Sequence, residues 1–345
     1  MSSIPKPGAA RITLALLAVV PAAMAYPWQS TRAYWLLGIA AVAVILLFGW
    51  WRGLHFTTIL RRRLAILGRA ANRESRLAEP STRTVALLRV GPAASDTDVL
   101  PLPLIAGYLD RYGVRVDHIR ITSRNNASGE QETWVGLTVS AVDNLAALQA
   151  RSSRIPLQET AQVAARRLAD HLREIGWEAN TVTAEDVPEV LDWETQKSSR
   201  ESWRAVRQGD SDYVAAYRVS PDSGLPETLA AARSQVARET WTALEIAQSA
   251  SGTHYTVAAA CAFRTDAAPE RAAPVAGLTL ERGNQRPALQ ALDPLSTWRL
   301  DGHTAAPADL LTRLDWPTPA AGAHRARLAD ADTQVLQTDR AFTRT

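Results

Sequence analysis

Two short acidic pairs come first among residues whose spacing has chemical meaning. Asp96-Thr97-Asp98 and Asp210-Ser211-Asp212 are both D-x-D, the spacing with which nucleotide-sugar transferases hold a divalent cation on a diphosphate. D-x-D is also ordinary turn and cap chemistry, so a membrane-anchored glycosyl- or nucleotidyl-transferase stands as the alternative reading only. Other catalytic signatures are absent. No G-x-x-x-x-G-K-[ST] occurs, and Lys197 lies in QKSSR without preceding glycines, which excludes a P-loop motor. G-x-S-x-G is missing as well. His55, His118, His171, His254, His303 and His324 show neither H-x-x-x-H nor H-E-x-x-H spacing, so the sequence points to no metal or cofactor. Cys261, the sole cysteine, sits in AAACAFR and reads as a small buried hydrophobe; no intrachain disulfide is possible. The expectation is a protein that is not an enzyme.

The elements that hold these residues begin with a run of eighteen uncharged residues, YWLLGIAAVAVILLFGWW, at 34–51. As a helix it is about 27 Å long, close to the ~30 Å hydrocarbon core of a bilayer. Trp35 stands at one end and Trp50 and Trp51 at the other, where indole rings favour the headgroup level. A second apolar run, ITLALLAVVPAAMAY, follows Lys6 and Arg11. It has the parts of a signal peptide, with Ala23-Met24-Ala25 as the cleavage site. Extended back to Gly8 it also reaches nineteen residues, and the short connection at 27–33 favours a helical hairpin over 8–26 and 34–51.

Arg52, Arg61, Arg62, Arg63, Arg69, Arg73 and Arg76 follow the second run, against Arg32 alone in the connection. Basic residues near membrane ends stay cytoplasmic, so the bulk of the chain is expected on the cytoplasmic side of a plasma (inner) membrane. Trp35, Trp50, Trp51, Arg52, Arg61, Arg62 and Arg63 are the expected membrane-interface residues. Phe56, Leu60, Leu64 and Leu67 recur on one helical stripe beside the arginine triplet, marking 52–83 as a basic juxtamembrane helix and linker.

From Thr84 the pattern turns to strands alternating with helices. Strands are expected at 84–90, 114–124, 132–141, 180–183, 213–219, 239–249 and 254–265, and helices after Pro103, at 144–151, 156–175 and 225–234. Ala161, Ala164, Leu168, Leu172 and Ile175 form the expected core face of the longest helix. The sum is one α/β, mixed α+β, domain over 84–316 built on a mixed sheet, then a flexible tail at 317–345. With 38 basic and 35 acidic residues the formal charge is +3, which gives no global field for nucleic acid. Arginine supplies all but Lys6 and Lys197 of the basic residues.

The segments ETWVGLTVSAVDNLAALQAR (132–151), LDWETQKSSRESWRAVRQGDSDYVAAYRVS (191–220), ETWTALEIAQSASGTHYTVAAACAFRT (239–265) and LDGHT (300–304), with the N-terminal hairpin, resemble EccE. EccE is the membrane-core component of actinobacterial type VII (ESX) secretion systems. The resemblance spans roughly residues 10–316 and is greatest to the shorter members of the ESX-3 type. It implies a structural subunit of an inner-membrane complex with the EccB, EccC and EccD components, EccC being the ATPase and EccD the direct neighbour. It also implies a cytosolic domain likened to a degenerate glycosyltransferase fold, and it transfers no catalytic residue.

Overall fold

The structure, a computed structural model, describes residues 13, 16–17, 19–20, 23–24, 34–35, 37–42, 50–51, 54–71, 82–94, 99–152, 155–191, 199–249, 251–252, 254–307 and 309–318. The chain divides after Arg76 into two compact units.

In the first unit, the described positions of both apolar runs at 13–24 and 34–42 are helical. Among the described residues no helix is long and apolar enough to cross a membrane. The second run does not stay helical to its end. Strand β1 (Trp50–Trp51) pairs antiparallel with β2 (Leu54–His55), Trp50 opposite His55 and Trp51 opposite Leu54. Adjacent tryptophans favour extended backbone, so the last two positions of the expected helix 34–51 are strand instead. Helix α1 (Phe56–Ala71) follows and carries the arginine triplet. Leu60 and Leu64 of its apolar stripe lie exposed.

The second unit is built on one antiparallel sheet. Its elements are β3 (Arg83–Ala93), α2 (Leu102–Ala106), a 3₁₀ turn (Gly107–Leu109), β4 (Asp110–Arg111), β5 (Val114–Asn126), β6 (Gln131–Ser140), α3 (Leu145–Arg151), α4 (Leu157–Glu174) and β7 (Trp177–Val182). Then come β8 (Ser199–Glu201), β9 (Val206–Gln208), β10 (Asp212–Val219), α5 (Leu225–Arg233), β11 (Glu239–Gln248), β12 (Tyr255–Thr265), β13 (Leu278–Leu280), α6 (Gln285–Leu292), β14 (Thr304–Ala305) and α7 (Leu310–Arg313).

The strand order is β7-β3-β6-β5-β11-β12-β10-β9-β8, with β13 and β14 on β10 and β12 and β4 on β5. Every pairing among the described residues is antiparallel, which corrects the expected mixed sheet. Direct hairpins such as β5–β6 and β11–β12 produce antiparallel neighbours, whereas a parallel pair needs a long crossover. The glycosyltransferase-like reading draws no support from this topology: doubly wound nucleotide-binding folds set their ligand at the carboxyl ends of parallel strands.

Side chains alternate between two buried faces. On the first, α4 lays Ala161, Ala165, Leu168 and Leu172 against Leu88, Val90 and Ala179. Helix α4 stops before Ile175, which is exposed, and Ala164 is only half buried, so Ala165 and Ala169 complete the face instead. On the second face, Leu87, Trp134, Trp241, Ala243 and Ala216 meet Leu289 and Leu292 of α6, together with Val190 and Leu191. Both faces are covered, so β11 is buried at every position but its last and β5 is buried from His118 to Ser123.

The expected helix from Pro103 to Tyr112 is shorter, because Tyr112 and Gly113 form the turn between β4 and β5. The first two residues of the expected tail, Pro317 and Thr318, are packed on the second unit. Leu100 N–H donates to Trp316 O at 3.1 Å, Val99 bridges to Pro317, and Thr318 is buried. The rest of the tail, 319–345, lies outside the described residues.

Candidate functional site

The charges of the second unit concentrate on the second face of β5. In β5, His118, Arg120, Thr122 and Arg124 alternate with Ile119 and Ile121, so a polar row shares a strand with a core row. A bulge at Asp117, between the pairs Val116–Val139 and His118–Thr138, sets the phase of that row. Register then places Arg120 between Gly136 of β6 and Glu245 of β11. Gly136 makes a close approach possible: a Cβ there would come within 3.2 Å of Leu87 and 3.5 Å of Pro294 O.

Arg120 joins the sheet to the segment that follows α6. Its Nε and Nη2 donate to Glu245 Oε2 at 3.1 and 2.8 Å. Its Nη1 donates to Asp293 O at 3.0 Å and Ser296 O at 3.1 Å, and Nη2 donates to Trp298 O. All five guanidinium N–H groups thus have an acceptor. Glu245 also accepts from Leu300 N–H at 3.2 Å and is 2.9 Å from His303 Nε2. His118 Nε2 lies 3.8 Å from Glu245 and 3.0 Å from Thr138 Oγ1, while its Nδ1 meets Asp117 at 3.1 Å. Arg299 closes the group by donating to Asp117 O at 2.7 Å and Asp117 Oδ1 at 3.0 Å.

Burial alone would push the Glu245 carboxyl up, but the Arg120 guanidinium, the His303 hydrogen bond and nearby His118 outweigh it and bring it down to about 2. Asp117 follows the same logic: burial raises it, while the His118 hydrogen bond and Arg299 lower it to about 2. Burial is the largest influence on His118 and holds the imidazole below its ordinary range despite Asp117 and Glu245. A neutral ring donating from Nδ1 to Asp117 and accepting from Thr138 at Nε2 satisfies both nitrogens. The Asp293 carboxyl is raised by burial. Chemically the cluster is a lock: the Glu245 carboxylate is ionised, and Arg120, Leu300 N–H and His303 are directed at it.

A second row of charge crosses the same face at the other end of β5. Arg89 pairs with Glu132 at 2.9 Å, and Glu132 with Arg124 at 3.3 Å. Arg124 also pairs with Glu239, Glu239 with Arg264 at 3.0 Å, and Arg264 with Asp212 at 3.5 Å. The row spans six adjacent strands from β3 to β10. Trp134 and Trp241, each two residues beyond its glutamate, stack between this row and the Arg120 cluster.

The structure places the residues singled out in the sequence as follows. Asp210 is fully exposed and paired with Arg207 at 3.1 Å; Asp212 faces Arg264 and Arg238. Guanidinium partners occupy the second D-x-D, and among the described residues no group of three or more His, Cys, Asp or Glu is arranged to hold a metal. Asp96 and Asp98 lie outside the described residues. Cys261 is buried in β12, and burial pushes its thiol well up. Trp35 is helical and exposed, Trp50 and Trp51 lie in β1 rather than at a helix end, and Arg52 is outside the described residues. Arg61 and Arg63 are exposed on α1 and Arg62 is half buried. The meeting of His118 and His303 on Glu245 was not foreseen from the sequence; its one signal was a polar side chain at every second position of β5 from His118 to Arg124.

The chain is 68% identical over 335 residues to the "ESX-3 secretion system protein EccE3" of Mycobacterium tuberculosis (strain CDC 1551 / Oshkosh), covering 96% of this chain and 99% of the relative. This chain belongs to the EccE family. It is also 50% identical over 305 residues to the "ESX-3 secretion system protein EccE3" of Mycolicibacterium smegmatis, covering 88% of this chain and 93% of that one. A family profile described as a "type VII ESX secretion system translocon, EccE" matches residues 127–219. That stretch holds β6, α3, α4 and β10, and with them Glu132, Trp134 and Asp212 of the charged row. The EccE-like segments quoted from the sequence converge in space: both E-T-W tripeptides supply the row and the stack, and LDGHT supplies Leu300 and His303 to Glu245.

Proposed function

We propose that this chain is a structural subunit of an ESX-3-type type VII secretion system, part of an inner-membrane core that supports protein export. The observation that carries the reading is the 68% identity along nearly the whole chain to an EccE3 protein. The site agrees in character: its charges bind one part of the fold to another, as a rigid scaffold needs. The runs at 8–26 and 34–51 anchor the chain as a membrane hairpin. Trp35, Trp50, Trp51, Arg52, Arg61, Arg62 and Arg63 meet the interface, and residues 53–345 face the cytoplasm. The partners are the EccB, EccC and EccD components, EccD most directly.

Native gels of detergent extracts test the assembly: co-migration with the other core subunits is expected, and a free monomer alone would sink the reading. Orientation is tested with a cysteine at Val236, which is 91% exposed, because the native Cys261 is buried and silent. A membrane-impermeant maleimide labels Val236→Cys in inside-out vesicles. Labelling in intact cells would reverse the topology.

A further inference from the structure

A cavity of about 240 Å³ opens where α3, α4 and the β4–β5 turn converge. Its wall is apolar, formed by Val114, Val116, Pro156, Val163 and the ring of Tyr108. Its rim carries Arg111, Arg151 and Arg167, against the single carboxylate of Glu159. Among the described residues these three arginines have no carboxylate partner, in contrast to the arginines of the charged row. Aromatic faces position two of them instead. Arg111 lies 4.6 Å from the Tyr108 ring and 5.1 Å from that of Tyr112, and Arg167 lies 4.6 Å from the Tyr112 ring.

The turn that holds Tyr112 is strained. Tyr112 and Gly113 have φ of 56° and 70° across a two-residue hairpin, Arg111 opposite Val114, which is a type I′ geometry that normally takes Asn-Gly. A tyrosine at the left-handed first position marks a ring kept where it stacks both guanidiniums. On α4, Glu159, Val163 and Arg167 recur every fourth residue and present one stripe to the opening.

We propose that this pocket docks an acidic segment of another polypeptide, seating one apolar side chain in the cavity and its carboxylates on Arg111, Arg151 and Arg167. The volume lies below the ~300–1,000 Å³ of small-molecule sites and suits a single anchor residue. Guanidiniums without a carboxylate of their own, two of them set over aromatic rings, are prepared for carboxylate contacts. The proposal rests on the reading of the chain as an assembly subunit.

The test places the photocrosslinking residue p-benzoylphenylalanine at Val163 of the full chain in its native membrane, with Val236 as the control position. The expected crosslink maps to a partner segment with at least two Asp or Glu flanking an aromatic or aliphatic residue. It drops about tenfold in R111E/R167E and recovers when the partner's acids are changed to Lys. Val163→Asp, at an exposed position that spares the fold, blocks docking of the same segment, read as loss of that partner from affinity-purified assemblies. Crosslinks to lipid, to a second copy, to a segment without acids, or no more than at Val236 overturn the proposal. Wild-type migration on native gels separates the failures: a chain in the complex without the Val163 crosslink defeats only the pocket, while a free chain defeats the subunit reading.

Discussion

Trp134 of β6 and Trp241 of β11 stack with centroids 5.9 Å apart and planes inclined by 18°, although β5 runs between their strands. Thr122 of β5 is paired with Trp134 and Arg124 with Trp241, so the two indoles close over a small residue. Arg124 lies 5.7 Å from the Trp241 ring and binds the glutamate that precedes each tryptophan by two residues. Either Trp→Ala change is expected to cost about 3–5 kcal/mol of unfolding free energy, with a coupling of about 0.5–1.5 kcal/mol between them. Denaturant titration of the two single variants and the double variant measures the coupling; strict additivity would mean that the stack contributes only its separate burial.

The Arg120–Glu245 pair is expected to behave as a buried ion pair whose halves depend on each other. Glu245→Gln or Arg120→Met alone should lose about 3–5 kcal/mol, because each strands the other charge. The double change Arg120→Met with Glu245→Leu should cost less than the two singles summed, although the strap carbonyls of Asp293, Ser296 and Trp298 lose their donor. Urea midpoints decide it, and a double variant as damaged as the sum would contradict the pairing.

Acid should destabilise the second unit in two stages. His118 has a depressed folded value, so its contribution is complete above the ordinary histidine range near 6.5 and is lost as pH falls and the unfolded chain takes up the proton. Glu245 and Asp117, both held at about 2, contribute above their ordinary 4.5 and 3.8 and lose that contribution as pH drops toward 2. Raised Asp293 acts in the opposite sense, losing its contribution as pH rises past 3.8. Melting temperatures from pH 8 to 3 should fall on acidification, and His118→Gln should remove the upper stage and shrink the Asp117 part of the lower one, while most of the Glu245 part, which Arg120 sets, remains.

Trimming the C-terminus should separate dispensable residues from a structural one. Trp316 is wholly buried, donates from Nε1 to Ser123 Oγ at 2.9 Å and is covered by Arg233 at 4.4 Å. Ending the chain after Thr318 should leave the unfolding midpoint unchanged, whereas ending it after Asp315 should cost about 3–5 kcal/mol. Equal midpoints for the two truncations would show that Trp316 does not close the core.

Local pattern made much of this protein legible in advance. The hairpins β5–β6 and β11–β12, helix α4 and the buried cysteine follow from period-two and period-3.6 repeats over neighbouring residues, and the E-T-W and LDGHT segments carried the family resemblance. What lay beyond local reach was partnership. Strands β4, β8, β9, β13 and β14 have two or three residues each, too few for a period, and exist through their neighbours. Arg120 meets Glu245 across 125 positions and Trp298 across 178, and no spacing rule links residues so far apart. The sequence by itself determined which side chains alternate inward along each strand; only the tertiary structure decided that the inward charges of β5 face those of β11. Register between distant strands is set by the packing of both sheet faces at once, so the charged row, the stacked tryptophans and the arginine-rimmed pocket exist only in the assembled fold.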